Sequence, residues 1–343
     1  MKRDKSLGND KTGLGDPFSF SDICNINRIY NENYEYFLQK KTLEKLISGK
    51  ALDHPYEYSE QEQENLQEDI RDIYRKTISE HCTDKSNTKP LAIITAGASG
   101  AGKTSLLRQN LEKNKSQENV YIYVCADETC LKNQMRTYQK DIQDSDLSLN
   151  SRQKIFNKWR PSSHGIKHLI LGNLIRDKKS FCLGTSCTEP GTEQFFKLLK
   201  KQGYQIQLLY VTAPDEIRWN SIQERNKTFI HGYSHTLEGI KKHAELLAEQ
   251  VCSFPDFADE IAFYYRKSVH ESAQLTALWT RNTPRSETLG SLQIFSPSEY
   301  TEIKKIHNEA IKRIQRPDLN WENYFDKQSK VFQNPECRDR AKL

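Results

Sequence analysis

The chain has 343 residues, of which 28% are charged and 36% hydrophobic, as expected of a soluble globular protein with one or two domains. Its 51 basic and 46 acidic side chains give a net charge of +5, too small an excess to favour a nucleic-acid partner. The sequence has no apolar run of about 18 residues that would span a membrane and no apolar segment typical of a secretory signal. We therefore predict a cytoplasmic protein, with secretion as an effector left open.

The N-terminal part of the chain shows helical patterns and no strand pattern. A helix is predicted over 34–48, and a second one begins at Ser59, which forms a capping-box pattern with Glu62. The second helix carries apolar residues at helical spacing, namely Leu66, Ile70 and Ile73. The polar segment 83–90 is predicted to be a linker, so residues 1–88 form a helical N-terminal extension.

Strands and helices then alternate, which indicates a parallel α/β sheet. The predicted strands are 91–96, 120–125, 181–183, 206–211 and 261–265. The predicted helices between them cover 104–113, 193–201, 214–226 and a segment starting at Thr236. The polar stretch 131–165 is predicted to form helices and loops above the strand ends. Residues 89–270 are therefore assigned to one α/β domain.

No further strand is predicted beyond Lys267. Ser296 and Glu299 open one more helix, which Pro317 follows. We therefore predict that residues 271–343 form a helical C-terminal extension.

The first predicted strand leads into a glycine-rich phosphate-binding sequence. It matches the Walker A pattern G-x-x-x-x-G-K-[ST] between a strand and a helix. Backbone N–H groups of such a loop, with the N-terminus of the next helix, form an anion site. The Lys103 ammonium would then contact the β- and γ-phosphates of ATP or GTP, and the Thr104 hydroxyl would ligate Mg²⁺. The predicted nucleotide-binding residues are Gly97, Ala98, Ser99, Gly100, Ala101, Gly102, Lys103, Thr104 and Ser105.

Asp127 follows the second predicted strand, at the sheet edge where ligands of α/β proteins bind. Its carboxylate could accept a proton from an acceptor hydroxyl, or it could cap a helix that starts near Thr129. Two arginines of one predicted helix, Arg218 and Arg225, share a face. They could clamp a phosphoryl group or lie on a solvated surface.

His164 precedes an apolar helix predicted over 166–175, and a capping or surface role is favoured over contact with substrate. A second Mg²⁺ ligand would ordinarily be an aspartate at the end of the third strand. The chain has Leu183, Gly184 and Thr185 there, and Glu128 or Glu189 could replace the missing carboxylate.

In these sequence features, residues 91–267 resemble the zeta toxin family of P-loop kinases. The resemblance rests on the phosphate loop and on segments that surround the predicted strands. These segments are the strand ending at Asp127, the run 161–165, the run 181–185, Gly203-Tyr204, the run 211–214, Glu224-Arg225 and the run 262–266. The sequence departs from the family at Leu183 (family Glu), Cys187 (often Arg), Gly165 (Arg) and Ser234-His235 (a second phosphate-contacting Arg).

The resemblance implies strand order 2-3-1-4-5 and transfer of the γ-phosphoryl group to a small hydroxyl acceptor, such as a nucleotide sugar. It implies Lys103, Asp127 and Arg225 as catalytic residues, with Asp127 as the base and Arg225 as the phosphate contact. An antitoxin or another protein partner is also possible in such a family. Because the acceptor half departs from the family, the alternative is a nucleotide-binding scaffold, or an effector that acts on a protein partner.

Overall fold

The computed structural model describes residues 58–79, 89–114, 121–189, 191–228, 235–282 and 289–333. The helix predicted at 34–48 and nearly all of the linker predicted at 83–90 lie outside these residues. Within the described segments, no helix combines the length and apolar character needed to cross a bilayer.

The described residues form one mixed sheet with helices packed around it. Its strands are β1 (Leu91–Ala96), β2 (Ile122–Cys125), β3 (Phe181–Gly184), β4 (Gln205–Thr212), β5 (Glu260–Tyr265), β6 (Gln274–Arg281), β7 (Gly290–Ile294) and β8 (Ser329–Gln333). The helices are α1 (Glu60–Ser79), α2 (Lys103–Asn114), α3 (Tyr138–Gln143), α4 (Leu149–Arg176), α5 (Thr192–Lys201), α6 (Asp215–Thr228), α7 (Leu237–Val251), α8 (Phe254–Phe257) and α9 (Pro297–Arg313). The strand order is β2-β3-β1-β4-β5-β6-β7-β8.

The first five strands are parallel and confirm the predicted order 2-3-1-4-5. Strand β1 lies at their centre, where Ile93 pairs with Cys182 of β3 and with Gln207 of β4. Five of its six residues are buried, because helices cover both faces of a parallel sheet. The carboxyl ends of β1, β2 and β3 therefore meet at one edge, where the phosphate loop and Asp127 lie.

The C-terminal segment differs from its prediction, because β6, β7 and β8 extend the sheet where only helix was expected. Strand β6 is antiparallel to β5 and β7 to β6, whereas β8 is parallel to β7. The strand signal is weak because β7 buries only alternate residues and β6 mixes polar with apolar side chains. Trp279 of β6 links to β8 across β7 through a 2.9 Å hydrogen bond from its indole nitrogen to the Ser329 hydroxyl. The predicted helix after Ser296 is confirmed as α9.

Helix α4 is longer than predicted and passes through Pro161. It begins after Ser148, whose hydroxyl accepts a 3.2 Å hydrogen bond from the Ser151 N–H. The helix predicted to start at Ile166 is therefore only the buried second half of α4. Proline removes one helical donor, but α4 continues through Pro161 without ending. The first half of α4 stands above the sheet edge, in the region predicted to cover the strand ends.

Helix α1 packs against the sheet domain. The predicted capping box is confirmed, since the Ser59 N–H donates to the Glu62 carboxylate at 2.9 Å. Ile70 and its apolar neighbours on α1 belong to the main hydrophobic core. Buried Asp69 accepts hydrogen bonds from the backbone N–H groups of Arg136 and Thr137 at 3.1 Å. Whether residues 1–88 form a separate unit stays a prediction, but α1 itself is attached to the core.

Replacing Ile70 by alanine tests this attachment. Ile70 is 2% exposed, so we expect Ile70→Ala to lower the free energy of unfolding by about 2–5 kcal/mol. The control is Glu64→Ala, an exposed position on the same helix, expected to change it by no more than about 0.5 kcal/mol. Urea unfolding of both variants gives the measurement. Equal stabilities would show that α1 does not pack on the core.

Candidate functional site

The loop between β1 and α2 needs glycine for two different reasons. At Gly97 a Cβ atom would lie 2.4 Å from the Val211 carbonyl oxygen, a distance that no side chain tolerates. Gly100 has φ +82°, and a Cβ there would lie 2.3 Å from the Arg218 carbonyl oxygen. The loop therefore packs against β4 and α6 in a conformation that requires glycine at both Gly97 and Gly100.

Lys103 stands at the start of α2 with its side chain folded back over the loop. Its ammonium donates to the carbonyl oxygens of Gly97 at 2.6 Å and Ala98 at 3.0 Å. Burial, with smaller contributions from Arg225 and Arg218, lowers the pKa of Lys103 to about 8. A cation in such surroundings favours an anionic ligand, because the ligand would offset both the desolvation and the repulsion.

A cavity of about 560 Å³ opens in front of Lys103, between the phosphate loop, the end of β2 and helices α4, α6 and α7. The side chains of Arg160, Lys167 and Arg225 line it with Lys103, while Asp127 and Glu189 are the carboxylates among its lining residues. Its walls are therefore strongly cationic.

Asp127 reaches this cavity from a single π-helical turn, Ala126–Cys130, that follows β2. Its Oδ1 atom lies 2.6 Å from Nε of Arg160. The alternative capping role is not observed, because the turn has no side-chain cap. The Thr129 hydroxyl instead donates to the Cys125 carbonyl at 2.8 Å. The carboxylate is thus held at the cavity wall by an arginine of α4.

Three polar residues of α4 face the cavity, and sequence analysis missed this set. Arg160, His164 and Lys167 are spaced by four and three residues and share one face of the helix. The favoured capping or surface role for His164 is wrong, because the residue lies within α4. Nδ1 of His164 and Nη1 of Arg160 are buried without a hydrogen-bond partner among the described residues. Burial, followed by Arg160 and Lys167, lowers the pKa of His164 well below its ordinary value.

The two arginines of α6 have separate positions. Arg225 lines the cavity. Arg218 is 1% exposed and lies behind the phosphate loop, where it donates to the Ile240 carbonyl at 3.1 Å and the Ser99 carbonyl at 3.4 Å and pairs with Asp215. Arg218 therefore supports the loop, and Arg225 is the arginine placed to meet a ligand.

The two glutamates considered as metal ligands line different cavities. Glu128 pairs with Arg108 and, at 2.8 Å, with Lys132, and it faces a second cavity of about 310 Å³. Glu189 lies beside the main cavity. Leu183 is 1% exposed and belongs to the core. The described residues contain no group of three or more acidic, histidine or cysteine side chains that could hold a metal.

The second cavity lies on the other side of the phosphate loop and shares Lys103, Thr104 and Arg225 with the first. Arg266 closes it by donating to the Gly100 carbonyl at 3.3 Å and to the Ser221 hydroxyl at 3.0 Å. An elongated anion could therefore extend along the loop from one cavity to the other. This arrangement and the glycine cradle fit a nucleoside triphosphate. Thr104 is the hydroxyl placed for a cation held mainly by phosphates and water.

A parallel sheet with a glycine-rich loop after its central strand, and a half-buried lysine at the start of the next helix, defines a P-loop nucleotide-binding protein of the kinase type. Residues 75–242 match the model of the zeta toxin family. Among curated proteins, none matches the chain.

Solved structures that match the chain include one from a study of the PezAT chromosomal toxin–antitoxin system of Streptococcus pneumoniae. It is 16% identical, with a TM-score of 0.47, and the match covers 76% of this chain and 98% of that one. The AvrRxo1-ORF1:-ORF2 complex in its native form is 10% identical, with a TM-score of 0.47 and coverage of 84% and 89%. The same complex with ATP is 13% identical, with a TM-score of 0.47 and coverage of 85% and 91%.

Gly100→Ala tests whether the loop geometry is needed for anion binding. The added Cβ would displace the loop from Arg218, and strain of about 1–3 kcal/mol should weaken Mg²⁺–nucleotide binding by roughly tenfold or more. Gly203→Ala is the matched control, because Gly203 also has a positive φ, +84°, but a Cβ there has open space. It should lower stability and leave the dissociation constant unchanged. Equal affinities of the two variants in calorimetry would contradict the assignment.

Proposed function

We propose that the chain is a Mg²⁺–nucleoside triphosphate-dependent phosphotransferase that acts on a small hydroxyl acceptor, such as a nucleotide sugar. The main observation that supports this proposal is that Lys103 and Asp127 line the same cavity. Lys103 belongs to the phosphate-binding loop, and Asp127 is a carboxylate that can accept a proton. A nucleotide site alone would not need the second group.

The nucleotide half of the mechanism uses the phosphate loop and its neighbours. Backbone N–H groups from Gly97 to Ser105 and the start of α2 bind the phosphates. Lys103 moves from the loop carbonyl oxygens to the β- and γ-phosphates, and Arg225 stabilises charge on the transferring group. The Thr104 hydroxyl would hold Mg²⁺, which would offset phosphate charge when bound. Glu189, beside the cavity, is our candidate for an outer carboxylate near this cation.

The acceptor half uses Asp127 and the polar face of α4. Asp127 accepts the proton of the attacking hydroxyl, and Arg160, 2.6 Å away, keeps the carboxylate oriented toward the cavity. Arg160 and Lys167 give the acceptor side a positive charge, which suits an acceptor that carries its own phosphate groups. The second cavity would hold the nucleotide base and ribose, with no preference between ATP and GTP assigned.

A second candidate function is nucleotide-dependent binding without turnover, or modification of a protein partner such as a bound antitoxin or effector target. The observation that favours it is Leu183, an apolar core residue at the strand end where a metal-binding carboxylate was expected.

Incubation with γ-labelled ATP or GTP and a metabolite extract distinguishes these functions. A labelled small molecule, formed by the wild type and absent with Lys103→Ala, is the expected result. Label on a protein band would favour the effector function. Nucleotide that stays bound without loss of its γ-phosphate would favour the scaffold.

Lys103→Ala should weaken Mg²⁺–nucleotide binding. It removes a charge-assisted contact worth about 1.5–3 kcal/mol, which corresponds to roughly ten- to a hundredfold in affinity. Lys197→Ala serves as the control, because Lys197 is an exposed lysine of α5 paired with Glu193. Calorimetry that finds the same dissociation constant for Lys103→Ala and the wild type would disprove nucleotide binding at this loop.

Asp127→Asn should reduce transfer by about 10²–10⁴-fold with little change in nucleotide affinity. The amide keeps the shape of the side chain and removes the basic oxygen. Glu216→Gln, an exposed position in the first turn of α6, controls for loss of one surface charge. Rates are compared at saturating Mg²⁺ and nucleotide. Undiminished turnover in Asp127→Asn would rule out the base role.

A further inference from the structure

Two histidines stand beside the phosphate loop and have no part in the mechanism described so far. His243 of α7 and His235, just before α7, both line the main cavity. Nδ1 of His243 lies 2.8 Å from the Ser99 hydroxyl oxygen. The two imidazole rings meet edge to face, with centroids 5.3 Å apart and an angle of 78°. One histidine thus contacts the loop, and the other is held against the first.

The charges that surround the pair are mostly positive. Burial, followed by His243, Arg225 and Lys103, lowers the pKa of His235 to about 4, opposed by Asp127. Burial, Lys103 and Arg218 lower the pKa of His243. The α4 side of the same cavity contributes Arg160, His164 and Lys167, and the loop after β3 contributes Glu189. With these protein groups alone, both imidazoles are neutral at pH 7.

A triphosphate in the loop would reverse this balance. Its negative charges would lie against Lys103 and Arg225, the cations that oppose a proton on His235. An anion within a few ångströms favours the protonated form of histidine. Because Lys103 and Arg225 both act on His235, the larger change is expected there. His243, bonded to Ser99, keeps the partner ring and the loop in place.

We propose that His235 and His243 are a proton-linked anion clamp, in which His235 takes up a proton when a nucleoside triphosphate binds and then contributes a cation to the phosphate site. This rests on the proposed nucleotide binding and adds a positioning pair and a pH dependence to it. The proton comes from solvent and returns when the phosphates leave.

The sign of the pH dependence follows from linkage. Because the bound state holds more protons than the free state, nucleotide affinity rises as pH falls. Uptake of one full proton would change the affinity by about tenfold per pH unit. The window lies above the pKa of about 4 for His235 and extends up to the raised pKa of the bound form.

The test is calorimetric titration of the full chain with the Mg²⁺ complexes of β,γ-imido ATP and GTP, in buffers of different ionisation enthalpy. We expect a buffer-dependent heat that reports proton uptake for the wild type between pH 6 and 7. His235→Gln should remove that uptake and flatten the pH profile, whereas His243→Gln should reduce it. Lys197→Ala is the control, because Lys197 is exposed on α5 and lines neither cavity, and it should retain the uptake.

The outcomes separate the two proposals. No binding heat for the wild type would contradict the proposed function itself. Binding with no buffer dependence, or uptake that survives His235→Gln, would overturn the clamp and leave nucleotide binding intact. If His235→Gln fails to fold, NMR titration of the wild-type imidazole signals decides. A His235 signal whose midpoint rises when the imido nucleotide is added supports the clamp, and an unchanged midpoint contradicts it.

Discussion

The site depends on one half-buried cation. Lys103 is held by the carbonyl oxygens of Gly97 and Ala98, and burial lowers its pKa to about 8. The sheet supports this arrangement, because β1 leads directly into the loop and β4 and α6 leave no room for side chains at Gly97 and Gly100. Desolvation of the Lys103 ammonium and its repulsion by Arg225 and Arg218 are unfavourable in the free protein. A bound anion would offset both. The fold therefore prepares a phosphate site before any ligand is present.

The opposite wall of the cavity also carries polar and cationic side chains. Helix α4 brings Arg160, His164 and Lys167 to the side that faces the loop, and two of their nitrogen atoms are buried without a partner among the described residues. Buried polar atoms of this kind are costly unless something satisfies them. Asp127, paired with Arg160, lies between the two cationic walls. Asp127 thus lies between the proposed nucleotide site and the proposed acceptor site.

Local motifs explain what could be predicted from the sequence. The phosphate loop is a contiguous pattern, the order of β1–β5 was implied by the family resemblance, and Asp127 was singled out by its place after β2. The polar face of α4 was missed because the predicted helix began only at Ile166, after Arg160 and His164, and β6–β8 were missed because short, half-polar strands give a weak signal. Helical spacing placed Arg218 and Arg225 on one face, but only tertiary packing shows which one meets the cavity. The His235–His243 contact joins residues whose roles no spacing rule connects.

A structure of the chain with Mg²⁺ and a non-hydrolysable triphosphate tests the central claim most directly. The account predicts that the ammonium of Lys103 leaves the carbonyl oxygens of Gly97 and Ala98 and lies within hydrogen-bond distance of the β- and γ-phosphate oxygens. The γ-phosphate should point into the cavity that contains Asp127. A triphosphate bound elsewhere, with Lys103 still on the two carbonyl oxygens, would contradict the account.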